Sequence, residues 1–311
     1  MLSFLPPQLL GTVCILLVVL NTLIWAVPVH FFALTKLLIP HKGFQAHNAR
    51  YVMSMVKGWI WGVLISLKLT LKVDWDIEGV DDLTKDEWYF VNTNHQSWTD
   101  IVVLLRALAT KIPFPKFFLK RELIWIPILG TAWWALDYPF MERYSKAYLA
   151  NHPELRGRDL ETTRIMCERY AYAPVSILNF IEGTRFTPRK REKQSSPYRH
   201  LLKPRAGGLA FAINAMNGKI RKLLDVTIYY PCDSINFWNF LCGRVSRIVV
   251  RIKEYHIPEE LLRGDYVSDS GYRERFQVWV REMWQTKDGL LSSLSEQERL
   301  RGTEERRLSS S

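Results

Sequence analysis

Residues 94–100 read Asn94-His95-Gln96-Ser97-Trp98-Thr99-Asp100 and follow directly on the β-prone run Trp88-Tyr89-Phe90-Val91. The five-residue offset from His95 to Asp100 does not place both side chains on one helix face, where neighbours are three or four apart. It does bring them together if His95 sits on the turn leaving a strand and Asp100 lies in the first turn of the next helix. Ser97 is the expected N-cap, and an acid is favoured in a first helical turn. In that geometry the carboxylate folds back onto the imidazole, fixes its tautomer and stabilises its protonated form, as a general base requires. Taken alone, a His and an Asp so placed are more often a cap and a dipole partner. The rest of the chain has to decide.

Outward from this stretch, strands and helices alternate. Val73-Asp74-Trp75-Asp76-Ile77 has the period of a half-buried strand, and Trp88–Thr93 is the strand that delivers His95. Ile101–Leu108 is expected as an apolar helix, Phe117–Leu119 as a short strand, and Ile124–Leu136 as a buried or membrane-dipping helix. Tyr138–Met141 reads as a strand and Asp159–Tyr172 as an exposed helix. Val175–Ile181 is a strand opening into Glu182-Gly183-Thr184-Arg185, and Ala206–Ala215 is a small-residue helix. Val226–Tyr230 and Val245–Ile252 are further strands. Phe276, Trp279, Val280, Met283 and Trp284 form the apolar stripe of an amphipathic helix, and from Leu291 the chain reads as a polar, mobile tail. The class predicted is α/β, a mostly parallel twisted sheet flanked by helices. Ligands in such sheets bind outside the carboxyl ends of the strands, and both His95 and Glu182–Arg185 occupy that kind of position.

The N-terminal third has another character. Met1–Thr35 carries no Asp, Glu, Lys or Arg, and Leu9–Val27 is 19 residues of nearly pure apolar sequence, close to the ~20 that span a bilayer. With no basic n-region and no small-residue cleavage site it reads as an uncleaved, membrane-embedded anchor, broken at Pro28, that either spans once or returns as a hairpin. Between Lys36 and Lys72 stand six bases and no acid, which places this side in the cytoplasm against anionic lipid. Val52–Leu71 is a second apolar segment, favoured as an interfacial helix over a second span. The net charge of +11 over 311 residues points to anionic partners, and twelve Trp favour a membrane interface over nucleic acid. Cys14, Cys167, Cys232 and Cys242 form no CxxC pair, so neither a zinc site nor a disulfide framework is expected.

Arg185 leaves its strand just after a Gly and offers the planar fork of donors that suits a phosphate, unless it is tied to Glu182 or Asp100. Lys120 and Arg143, each after a short strand, add charge to the same mouth or are solvated surface bases. There is no Gly-x-Ser-x-Gly elbow, no Walker-type loop and no convincing metal spacing. A general base, a phosphate cradle and a membrane platform fit activation of a hydroxyl on a phosphate-bearing lipid.

These stretches resemble the motifs of the PlsC-like lysophospholipid and glycerophosphate acyltransferases. Residues 94–100 are similar to the first motif, His, four residues, Asp. Lys120-Arg121-Glu122-Leu123 with Ile126-Pro127-Ile128-Leu129-Gly130 resembles the lysine segment that follows it. Tyr138-Pro139-Phe140-Met141-Glu142-Arg143 resembles the second motif, Ile181-Glu182-Gly183-Thr184-Arg185 the third, and Ile228-Tyr229-Tyr230-Pro231 the fourth. The resemblance covers about residues 50–235. Two positions depart from it, with Ile181 where the family has Pro and Glu142 where it has Asp.

The resemblance implies the glycerolipid acyltransferase fold and a 1-acylglycerol-3-phosphate acyltransferase. His95 is then the general base and Asp100 its orienting partner. The acceptor phosphate is bound by Lys120, Arg143, Glu182, Gly183, Thr184 and Arg185, with Glu182 orienting that phosphate or Arg185. No cofactor and no metal are implied. Acyl-CoA or acyl carrier protein is the co-substrate, and the partners are a lysophospholipid acceptor and membrane lipid at the cytoplasmic face of an inner membrane. The expected organisation is an anchor and interfacial region over 1–71, an acyltransferase α/β domain over 72–285 and a polar tail over 286–311. Another lysophospholipid acceptor, lysophosphatidylglycerol or lysophosphatidylinositol, is the alternative within the chemistry. A non-catalytic, membrane-tethered protein that binds anionic lipid or RNA is the alternative outside it, carried by the loop from Arg185 to Arg205 with its eight bases and one acid.

Overall fold

The computed structural model describes residues 2–309 except 3, 40, 118, 137, 139, 142–173 and 233–234. Its contacts divide the chain into two units, each assembled from separate stretches. One comprises Met1–Lys72, Lys116–Tyr170 and Trp238–Arg244, and the other Val73–Pro115, Ala171–Phe237 and Val245–Ser311.

The sheet-bearing unit is built on β1 (Asp74–Glu78), β2 (Tyr89–Thr93), β6 (Ser176–Phe180), β7 (Lys222–Tyr229) and β8 (Arg247–His256). The strand order is β1-β8-β7-β2-β6, with β3 (Pro115–Phe117) as the sixth strand. β2 runs parallel to both β6 and β7, β1 runs parallel to β8, and β7 and β8 are antiparallel. All five residues of β2 are buried, as expected of a central strand covered on both faces. The helices of this unit are α3 (Thr99–Leu108), α5 (Pro188–Lys193), α6 (Ala206–Ala215), α8 (Glu259–Leu262) and α9 (Ser270–Ser309). Leu209, Ala210, Ala212 and Ile213 of α6 are buried. The α9 stripe is core packing, with Phe276, Val280, Met283 and Trp284 all at 2 % exposure or less, and Trp284 Nε1 donates to Leu202 O.

Two expectations change here. The residues from Leu291 are not an irregular tail but a continuation of α9, because Lys287, Leu291 and Leu294 carry its buried face onward at helical spacing. β7 starts at Lys222, four residues before the expected Val226, because its pairing with β8 extends that far. The helix expected over Asp159–Tyr172 lies outside the described residues.

The other unit is organised on α1 (Pro7–Leu38) and α2 (Lys42–Thr70), packed as a helical hairpin. Pro28 does not break α1. It sits inside a continuous 32-residue helix, so packing overrides the lost N–H of a single Pro. α2 is likewise one helix of 29 residues that begins well before Val52. The two approach closely at Gly62, where a Cβ would stand 1.9 Å from Asn21 Oδ1. Polar groups inside the hairpin pair across it. Asn21 Nδ2 donates to Trp59 O, Trp59 Nε1 to Thr22 Oγ1, and Asn48 Nδ2 to Phe32 O.

α4 (Leu129–Ala135) joins this unit, and Val29, Ala33, Val52 and Ala135 share one core. The helix expected over Ile124–Leu136 is therefore two pieces, a 3-10 helix over Arg121–Trp125 and α4, separated at Pro127 and Ile128, whose φ is +69°. The single strand expected over Phe117–Leu119 is also two, β3 and β4 (Leu119–Lys120), and β4 pairs in parallel with β5 (Phe140–Met141). α7 (Phe237–Leu241) completes the described helices.

Candidate active site

β2 ends at Thr93, and Asn94 then does the work of one more ladder step. Its side-chain oxygen accepts from Ile228 N–H and its amide donates to Ile228 O, both at 2.9 Å. That bidentate grip on β7 fixes the turn carrying His95. α3 begins at Thr99 with Trp98 as its N-cap, so Ser97 does not cap it as expected. Ser97 Oγ accepts from Thr99 N–H and closes a tight turn instead.

The pairing expected across five residues is present. His95 Nδ1 lies 2.8 Å from Asp100 Oδ2. The same oxygen accepts from the backbone N–H of Gln96 and Ser97, at 2.6 and 3.0 Å. Asp100 Oδ1 accepts from Tyr230 OH at 2.7 Å. Asp100 is 1 % exposed and His95 17 %, so the anion is sealed while one edge of the imidazole stays open. The ring stacks on Phe180 with centroids 4.0 Å apart, which leaves it little freedom to rotate. With Nδ1 directed at the carboxylate, Nε2 is the position left to take a proton from a ligand.

Glu182 does something other than what the resemblance implied. It is fully buried, and both its oxygens are occupied, Oε1 by His95 N–H and Oε2 by Leu202 N–H, each at 2.9 Å. It contacts neither Arg185 nor open space, and so it is a backbone clamp on the His95 turn rather than a phosphate ligand. The signal available in the sequence was its position directly after a buried strand, where a side chain turns inward as readily as outward.

Gly183 adopts φ +69°, and a Cβ there would come within 3.0 Å of Arg205 Cδ, so the turn after β6 requires Gly. Thr184 Oγ1 accepts from Lys190 Nζ at 2.7 Å. Arg185 is exposed, with its guanidinium 5.8 Å from the centroid of Trp98, and it forms no pair with Glu182 or Asp100. Phe186 N–H donates to His95 O at 2.6 Å, so the turns after β2 and β6 are joined. The structure thus brings His95, Asp100, Gly183, Thr184 and Arg185 to one carboxyl edge of neighbouring parallel strands. Lys120 closes β4 in the other unit, and its side chain, like all of Glu142 and Arg143, lies outside the described residues.

Sequence reasoning missed two residues. Tyr230, from the end of β7, supplies the partner of Asp100 that the local motif could not contain. Lys287 is the other. Its ammonium is fully buried, 3.0 Å from Asp225 Oδ1 and 2.6 Å from Val226 O, and Asn92 Nδ2 donates to the same Asp225 oxygen. Burial lowers the Lys287 pKa and raises that of Asp225, and each charge opposes the other's shift.

Burial also pushes Glu182 up to about 7, opposed by its two backbone N–H donors and by the charge of Lys287. A carboxyl raised in the folded state contributes stability below its ordinary 4.5, and loses it as pH rises towards 7. Glu182→Gln is therefore expected to flatten the decline in thermal stability between these two pH values, by up to about 3 kcal/mol. A slope unchanged from the parent chain in a thermal series over that range would remove Glu182 from this balance.

The Acyltransferase family matches this chain over residues 74–231, just over half its length. The chain belongs to the Acyltransferase family. Among curated relatives of this acyltransferase-family chain, the 2-acyl-1-lysophosphatidylinositol acyltransferase of Saccharomyces cerevisiae is 24% identical, covering 64% of the chain and 59% of that protein. The 1-acyl-sn-glycerol-3-phosphate acyltransferase gamma of Mus musculus is 25% identical, over 56% and 44%. The 1-acyl-sn-glycerol-3-phosphate acyltransferase 3 of Arabidopsis thaliana is 23% identical, over 75% and 60%. The family member thus spans 44% to 60% of the length of these relatives. The crystal structure of the 1-acyl-sn-glycerophosphate acyltransferase PlsC from Thermotoga maritima aligns with 86% of this chain and 97% of that one, at 21% identity and a TM-score of 0.42.

Proposed function

We propose that this chain is a membrane-bound acyltransferase that moves a fatty acyl group from a thioester donor to the free hydroxyl of lysophosphatidic acid, giving phosphatidic acid. The observation that carries the reading is a buried, four-times hydrogen-bonded Asp100 holding a partly open His95 at 2.8 Å on the carboxyl edge of the sheet. Family membership and the names of two of the relatives support it.

His95 Nε2 takes the proton of the acceptor hydroxyl as its oxygen attacks the thioester carbonyl. The tetrahedral oxyanion collapses, the carbon–sulfur bond breaks, and the thiolate takes the proton back from the imidazolium. Asp100 stabilises that imidazolium throughout and stays ionised. Holding the two lipids in line provides the larger share of the acceleration. α1 and α2 are each long and apolar enough to cross a membrane, with only 17% and 33% of their most apolar windows buried. They anchor the chain at the cytoplasmic face of an inner membrane, with α1 embedded and α2 lying in the interface, where the six bases between Lys36 and Lys72 meet anionic lipid.

Arg185 binds the acceptor phosphate, with Gly183 and Thr184 shaping the turn. Arg185→Ala is expected to raise the KM for the acceptor about 10–100-fold, the size of one lost charge-assisted bond, with the donor KM little changed. A rise confined to the donor KM would remove the phosphate role.

A second acceptor has its own support, since the yeast relative is named for lysophosphatidylinositol. A panel of lysophosphatidic acid, lysophosphatidylglycerol and lysophosphatidylinositol with one radiolabelled acyl donor separates the readings by product. Labelled phosphatidic acid as the main product supports the first. Absence of product with every acceptor would leave only a membrane-tethered binding protein.

A further inference from the structure

A cavity of about 430 Å³ opens in the sheet-bearing unit where the chain before α6 and the first turn of α6 meet α9. Three cations line it, Lys203, Arg205 and Arg281, together with Tyr198, Tyr266 and Gln277. All three cations are exposed, and no carboxylate lines the cavity. Among the described residues none of the three forms an ion pair. Asp288, the acid nearby, has its carboxylate occupied by the backbone N–H groups of Arg199 and His200. Gln277 Nε2 donates to Tyr266 OH, which sets that ring in the wall beside Gly207. Three uncompensated cations beside two aromatic rings, in a volume of drug-sized scale, fit a ligand with several phosphates and a flat ring system.

The chain that lines the cavity is bonded to the turn that carries the chemistry. Arg205 is the residue against which Gly183 packs, and its N–H donates to Ile181 O at 2.8 Å. Leu202, just before the cavity, supplies one of the two N–H groups that hold Glu182. A ligand seated on Lys203, Arg205 and Arg281 therefore adjoins the wall of the His95 site, and a long flexible arm is needed to bring its reactive end onward.

We propose that this cavity binds the phosphorylated adenosine end of coenzyme A, with the pantetheine arm passing Arg205 to present the thioester at His95. This rests on the acyl-transfer reading and makes the donor an acyl-CoA rather than an acyl carrier protein, which has no nucleotide to place there.

The test uses the full chain in detergent and adenosine 3′,5′-bisphosphate, a fragment without thioester. Saturable binding is expected, with glycerol 3-phosphate a poor competitor. Lys203→Glu with Arg281→Glu should weaken it about 10-fold or more per lost contact. In transfer assays the same double variant should raise the KM for palmitoyl-CoA by a similar factor, and leave palmitoyl-pantetheine and the acceptor unaffected. No saturable binding, unchanged affinity in the variant, equal competition by glycerol 3-phosphate, or equal loss with the pantetheine donor would each overturn the assignment. Transfer without nucleotide binding would sink the cavity's role alone. Nucleotide binding in a parent chain that transfers from neither donor would sink the acyl-transfer reading and keep the site.

Discussion

His95→Ala is expected to reduce acyl transfer by about 10²–10⁴-fold, the usual share of general acid–base catalysis, while the chain still partitions with membranes. Three observations set this size. The ring is both partly open and tied to a buried anion. Its orientation is fixed twice, by Asp100 at Nδ1 and by the Phe180 stack. Its backbone N–H is held by Glu182, so the turn persists when the ring is removed. The stability lost should be small, about 1 kcal/mol for the missing ring contact. Turnover of lysophosphatidic acid and a thermal midpoint, measured on the same preparation, separate the two effects. Transfer close to that of the parent chain would refute the base assignment.

Asp100→Asn is expected to lower turnover by up to about 10⁴-fold with the fold retained. The carboxylate accepts from four donors, His95 Nδ1, Gln96 N, Ser97 N and Tyr230 OH. An amide has only one acceptor oxygen. If that oxygen keeps the first three partners, the amide nitrogen faces Tyr230, whose hydroxyl can rotate to accept. Geometry then survives, and what disappears is the negative charge that meets the imidazolium. Because the two residues act as a unit, the double variant with His95→Ala should be scarcely slower than His95→Ala alone. Losses that multiply would mean that Asp100 acts apart from His95. A large fall in stability with normal turnover would make Asp100 a helix-start device and nothing more.

The sequence revealed what is local. Asp74–Glu78, Tyr89–Thr93 and Ser176–Phe180 follow from period and β-branched or aromatic content, and the His95–Asp100 contact spans only five residues. Tyr230 reaches Asp100 across 130 residues, and no spacing rule foretells such a contact. Glu182 and Arg185 stand three apart on one turn, yet the first points into the core and the second to solvent. That split depends on which backbone N–H groups lack partners, and those are known only once strands β2 and β6 are side by side. Pro28 and the polar end of α9 were misread for one reason. Tertiary contacts along a long helix outweigh a single breaker, or a charged residue on the packed face.

Lys287 deserves a last consequence. It stands on α9, beyond residues 74–231 that the family shares, yet its ammonium is the counter-ion placed among Asp225 and Glu182 under the carboxyl edge. Until the ribosome has released that helix, Asp225 on β7 and Glu182 after β6 are without the charge of Lys287. The order of synthesis therefore delivers the counter-ion of Asp225 last, on the same helix that brings Arg281 to the cavity of Lys203 and Arg205.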